Sequence, residues 1–145
     1  MLRVESLSKA FGATPVFSDV TLQVAPGEFV ALVGESGVGK STLLNCIAGL
    51  DAADRGRAWV GGDEVTALDE DARARLRRDH LGFVFQAFHV LPHLTVAQNV
   101  ELPLRLQKRH DAARVDAVLE AVGLGGLGGR MPAQLSGGQL QRVAI

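Results

Sequence analysis

The chain has 145 residues, 47% of them hydrophobic and 21% charged, with a formal net charge of -1. That length suits about one domain and is enough to bury a real core. The near-neutral balance gives no electrostatic reason to expect a nucleic-acid partner. No apolar run approaches the roughly 18 residues of a membrane span, and residues 1–5 have no apolar stretch of signal-peptide length. The chain itself is therefore expected in the cytosol, with any membrane role supplied by a partner. A single cysteine, Cys46, excludes an internal disulfide and fits a reducing compartment. It lies in an apolar helical stretch and reads as a small buried core residue rather than a reactive one.

In chain order, residues 4–7 and 16–24 carry β-type patterns split by Gly12 and Pro15, and Val20, Leu22 and Val24 alternate with polar residues. Pro26-Gly27 is a turn. Phe29, Val30, Ala31, Leu32 and Val33 form a continuous apolar run, which predicts a strand covered on both faces in a parallel sheet. A glycine-rich loop follows, then a helix over 41–50. Residues 56–60 read as a strand, Gly61-Gly62 as a turn, and Asp69 as the cap of a charged helix ending near Arg78. Residues 81–85 are again strand-like. Beyond Gln86, residues 89–94 read as loop. Thr95 can cap a helix holding Val96, Val100 and Leu104, which Pro103 must kink or end. Val115, Val118, Leu119 and Val122 fall at helical spacing, with Gly123 placed to end that helix. The last helix starts at Ser136.

Gly34-Glu35-Ser36-Gly37-Val38-Gly39-Lys40-Ser41 matches G-x-x-x-x-G-K-[ST], between a predicted strand and a predicted helix. Glycines let successive backbone N–H groups turn inward on phosphate oxygens, and the positive end of the helix dipole faces the same spot. Lys40 would neutralise β- and γ-phosphate charge, and the Ser41 hydroxyl, followed by Thr42, would ligate Mg2+. The motif reads as a nucleotide site, with Mg2+ as the expected metal.

Leu135-Ser136-Gly137-Gly138-Gln139 opens the last helix. Ser136 with Gln139 three residues on is a capping box, which explains part of the pattern locally. Two glycines in a first helical turn are poor helix formers, by about 1 kcal/mol each against alanine. They make sense where the helix end must closely approach another molecule, such as an anion. Two such helix ends suggest one ATP held between two subunits.

Residues 135–139 followed by Gln141-Arg142-Val143-Ala144 resemble the signature motif of ABC ATPases, at the family's usual distance after the Lys40 loop. The resemblance runs from Leu2 to Ile145. It implies an α/β P-loop NTPase core with an N-terminal antiparallel β subdomain and a helical insertion, incomplete at the C-terminus. The implied divisions are 1–86 for the β subdomain and P-loop core, 87–135 for the helical subdomain and 136–145 for the start of the signature helix.

The resemblance makes Gln86 the glutamine that touches Mg2+ and the attacking water. It places Phe11 where an aromatic stacks on adenine; a core phenylalanine and an ordinary loop amide are the plainer readings of these two. It also implies a homodimer of cassettes, each ATP lying between the Lys40 loop of one copy and the Ser136 helix of the other. Integral membrane permease subunits would be the partners, at the cytoplasmic side of the plasma (inner) membrane. Residues 83–92 and 98–104 look most like the branch of lipoprotein-release and macrolide-efflux ATPases.

The family's Walker B aspartate, catalytic glutamate and switch histidine follow the signature helix, so these 145 residues alone are expected not to turn over ATP and to aggregate or stay molten. Val65-Thr66-Ala67-Leu68-Asp69-Glu70 mimics a strand ending in Asp-Glu, but the cap reading explains Asp69 better. Asp79-His80-Leu81-Gly82 matches a GTPase D-x-x-G without the base-reading motif that accompanies it. His80, His89, His93 and His110 show no metal-ligand spacing. A non-transport ABC ATPase and a nucleotide-binding fragment without catalysis remain as alternatives; the signature argues against a plain P-loop kinase or GTPase.

Overall fold

In the computed structural model, which describes residues 1–85 and 87–145, strand β1 (Leu2–Phe11) buries both Val4 and Leu7. A regular strand would turn residues three apart to opposite faces. Here the strand bulges. Its register slips between Val4 and Leu7 against β2 (Thr14–Val24), and between Glu5 and Ser8 against β3 (Arg55–Val60), with Ser6 at φ +48°. Gly56 sits opposite the bulge. A Cβ there would meet the Ser6 carbonyl oxygen at 2.3 Å, so only glycine lets β3 close on β1.

The contacts divide the chain into two units, Met1–Leu81 and Gly82–Ile145. The first contains an antiparallel sheet of order β2-β1-β3-β4, with β4 at Asp63–Glu64. Residues Gly12 and Ala13 make the two-residue turn between β1 and β2. Helix α1 (Lys40–Ile47) lays Leu43, Cys46 and Ile47 on the sheet residues Val4, Leu7 and Ala58. Phe17, Val20 and Leu22 of β2 flank that core. Burial pushes the Cys46 thiol pKa above its ordinary value, as suits an inert core cysteine. A smaller cluster joins Val60, Val65 and Leu76, the last on α2 (Glu70–His80). Asp69 caps α2, accepting from the Ala72 N–H at 2.8 Å. Residues Val65–Ala67 form a 3-10 turn, so the strand-like decoy before Asp69 is not a strand.

The second unit holds α3 (Val96–Leu106), α4 (Ala112–Ala121) and α5 (Gly137–Val143) around Val96, Val115, Leu119, Leu124 and Val143. The first amides of α3 are satisfied from outside the helix. Val96 N–H donates to the Arg130 carbonyl and Ala97 N–H to the Gly128 carbonyl, each at 2.9 Å. Helix α3 runs three residues past Pro103 to Leu106 rather than ending at the proline. Gly123 follows α4 as expected, but Val118 is 43% exposed while Val115 and Leu119 are buried, so the apolar face of α4 is narrower than its periodicity suggested.

Two expected strands do not form. Residues 29–33 and 81–85 have no strand assignment, and no described strand pairs with them. Phe29 is 92% and Val33 85% exposed. An apolar run becomes a strand only when a neighbouring backbone takes up its N–H and C=O groups. The described sheet is wholly antiparallel and lies elsewhere in sequence. No described helix is long and apolar enough to cross a membrane.

Candidate functional site

The N-termini of four of the five described α-helices are closed by their own side chains. Asp69 caps α2, Thr95 caps α3, Asp111 caps α4 and Ser136 caps α5. Helix α1 differs. Its N-cap is Gly39, at φ +94°, with no side-chain cap bond and no acidic residue in the first turn. The leading N–H groups of a helix are strong donors carrying about half a positive charge. At α1, among the described residues, no side chain caps them and no carboxylate stands in the first turn.

The loop before α1 curls over this end. Gly37 also has positive φ, +85°, with open space where a Cβ would stand. Gly34, Glu35, Ser36, Gly37 and Val38 are exposed. The Lys40 side chain folds back along the loop, and its ammonium donates to the carbonyls of Gly34 at 2.8 Å and Glu35 at 2.5 Å. Ser41 is exposed in the first turn and Thr42 half-buried beside it, while the next residue, Leu43, is in the core. The arrangement presents amides, one ammonium and one hydroxyl on a single helix end.

Phe11 stands at the end of β1, paired with Thr14 across the turn, and is 57% exposed rather than in the core. Gln86 lies outside the described residues. Among the described residues no group of three His, Cys, Asp or Glu side chains could hold a metal ion. A Mg2+ ion typically takes only one or two protein oxygens and completes its shell with phosphate and water, so a single hydroxyl such as that of Ser41 is compatible with it.

In the second unit Ser136 and Gln139 make the full capping box. The Ser136 N–H donates to Gln139 Oε1 at 2.8 Å, and the Gln139 N–H to Ser136 Oγ at 3.3 Å. Gly137 and Gly138 are exposed, with nothing within 4 Å of where a Cβ would be. Among the described residues, no packing contact accounts for their lack of a side chain.

The sequence reading passes over Lys9. The residue is 8% exposed, and its side chain pairs with Asp51 Oδ1 at 3.2 Å, donates to the Ala52 carbonyl at 2.7 Å and stands 5.1 Å from the centre of the Phe11 ring. The alternation of a strand puts Lys9 and Phe11 on one face. The partner Asp51, more than forty positions away, carries no signal in the sequence.

The sequence profile of the ABC transporter family matches residues 17–145. The chain is 48% identical over 145 residues to the sulfate/thiosulfate import ATP-binding protein CysA of Gloeobacter violaceus, covering 98% of this chain and 40% of that protein. It is 45% identical to the lipoprotein-releasing system ATP-binding protein LolD of Pseudomonas fluorescens, covering all of this chain and 67% of that one. It is 44% identical to the macrolide export ATP-binding/permease protein MacB of Marinobacter nauticus, of which it spans 24%. Among solved structures it superposes with a TM-score of 0.91 and 37% identity on a dimeric ATP-binding cassette in a post-hydrolysis state bound to ADP and Pi. That match covers 99% of this chain and 67% of the other. A glycine loop on an uncapped helix, an exposed glycine pair at the start of α5 and these matches agree: the chain belongs to the ABC transporter family and corresponds to its ATP-binding domain.

Proposed function

We propose that this chain is the ATP-binding, energy-coupling part of an ABC transporter, acting as an ATPase in its full-length protein. The observation that carries the reading is the N-terminus of α1, which lacks both a side-chain cap and a first-turn carboxylate. Phosphate oxygens would take the loop amides of residues 34–39, and Lys40 would exchange two neutral carbonyl acceptors for two anionic ones, adding a direct attraction between opposite charges. Ser41 would supply the hydroxyl for Mg2+, with Thr42 beside it, and Gln86 would join the metal and orient the attacking water. Phe11 would offer its ring face to adenine. Mg2+, held by Ser41 and Gln86, would supply neutralisation of phosphate charge.

Ser136, Gly137, Gly138 and Gln139 of a second copy would close on the same triphosphate, as the dimeric form of the solved cassettes suggests. Closure of the pair would drive integral membrane permease subunits at the cytoplasmic side of the inner membrane. The named relatives include an importer, an exporter and a lipoprotein-releasing system. We favour the last two because the stretches at 83–92 and 98–104 look most like that branch.

The test is MgATP binding by the chain and its Lys40→Ala variant. Loss of a charged hydrogen-bonding group predicts about a tenfold to hundredfold weaker dissociation constant. An unchanged constant would remove the Lys40 loop from the site.

A further inference from the structure

Phe11 ends a strand at a hairpin tip with more than half of its surface exposed, a position where an aromatic ring ordinarily keeps its rotamer freedom. Four hydrogen bonds hold the strand behind it. The Lys9 ammonium is bonded to Asp51 Oδ1 and the Ala52 carbonyl. The Ala10 N–H donates to Asp54 Oδ2 at 2.6 Å, and the Asp54 N–H donates to the Ser8 carbonyl at 2.9 Å. Residues 8–10 are thereby tied to the segment 51–54, which follows the C-terminal end of α1; Lys40 begins the other end of the same helix. The same Lys9 ammonium lies over the Phe11 ring, 5.1 Å from its centroid, within the range of a cation–π contact.

We propose that Lys9 is a positioning residue for the nucleotide base. Anchored by Asp51, it holds one face of the Phe11 ring and leaves the other face set at a fixed distance from the phosphate cradle. The physical gain is preorganisation: a ring already in place loses less freedom when a base stacks on it. The ordinary role for a lysine at this depth is a structural ion pair. Two observations argue for more than that: the ammonium also contacts the ring, and the Asp54 bonds already tie the strand without it. The proposal rests on the assignment of Phe11 to adenine stacking.

The experiment compares affinity for MgATP with affinity for inorganic tripolyphosphate, which lacks a base, in the chain and in the Lys9→Met, Asp51→Asn and Phe11→Ala variants. Lys9→Met keeps the stem and removes the charge. It is expected to weaken MgATP about threefold to tenfold, in line with a partly desolvated cation–π contact, with tripolyphosphate unchanged. Asp51→Asn should shift the ratio in the same direction, and it carries the test if Lys9→Met does not fold. If Phe11→Ala lowers the ratio and neither clamp variant does, the role of Lys9 is refuted and the stacking assignment stands. If Phe11→Ala leaves the ratio unchanged, the stacking assignment fails and the proposal with it. Equal loss of both ligands in the clamp variants would mean a purely structural pair and would also overturn the proposal.

Discussion

Gly39 lies against Val16: a Cβ on Gly39 would come within 2.5 Å of Val16 Cγ1 and 3.3 Å of the Val16 carbonyl oxygen. The second strand of the hairpin thus backs the glycine-rich loop at the residue that caps α1. The glycine is required twice, once by its φ of +94° and once by this contact. Gly39→Ala is expected to destabilise the chain by about 1–3 kcal/mol from backbone strain and overpacking together. Adding Val16→Ala should restore the overpacking part and leave the strain. Urea unfolding of the three variants measures both, and equal midpoints for Gly39→Ala and the parent would contradict the contact.

Ser136 has a local role that can be separated from its proposed one. Its hydroxyl caps α5, and Ser136→Ala should cost about 1 kcal/mol. Ser136→Asp keeps a capping oxygen and should leave unfolding near the parent value. It also places a carboxylate where a second copy's triphosphate would dock, and so should abolish ATP-dependent pairing of two copies. Sedimentation with and without MgATP reads the outcome. Pairing that survives Ser136→Asp would take Ser136 out of the shared site.

Glu101 predicts an acid-sensitive element in the second unit. Its side chain is almost wholly buried on α3, bonded by Arg105 Nε at 2.6 Å and contacted by His110 Nδ1. The Arg105 hydrogen bond, opposed by desolvation and assisted by the Arg105 and His110 charges, holds the carboxyl pKa below the ordinary glutamate value of 4.5. A carboxylate with a lower pKa folded than unfolded stabilises the fold above its unfolded pKa and loses that contribution as pH falls through the folded value. Between pH 7 and pH 5 the parent should therefore hold its stability at this site. Below about 4.5 its melting temperature should fall more steeply than that of Glu101→Gln. Parallel melting curves across that range would refute the assignment.

The apolar run at 29–33 predicts dye binding. Phe29, Val30, Leu32 and Val33 are all exposed, a contiguous patch of the kind that recruits hydrophobic probes or partners. The chain should enhance the fluorescence of an apolar dye at neutral pH. Phe29→Ser with Val33→Ser should reduce that signal by about half or more while leaving the far-ultraviolet circular dichroism of the sheet unchanged. A chain that binds no dye would mean the run is covered.

What the sequence alone determined is what is decided within a few residues of chain. The caps at Asp69, Thr95 and Ser136 and the glycine loop before Lys40 are of this kind, because each N-cap bond closes over three residues and a left-handed turn depends on one. The buried face of α4, apart from Val118, and the burial of Cys46 in α1 were legible for the same reason. Tertiary structure decided everything that needs a distant partner. The runs at 29–33 and 16–24 are both apolar enough for strands, yet only the second lies beside a chain that can accept its hydrogen bonds. Val16 behind Gly39, and Asp51 on Lys9, join residues 23 and 42 positions apart, and no short-range pattern encodes such a pairing. Phe11 shows the division most plainly: its residue type allows a buried ring or an exposed one, and only its place at an open hairpin tip beside a buried ammonium leaves it exposed.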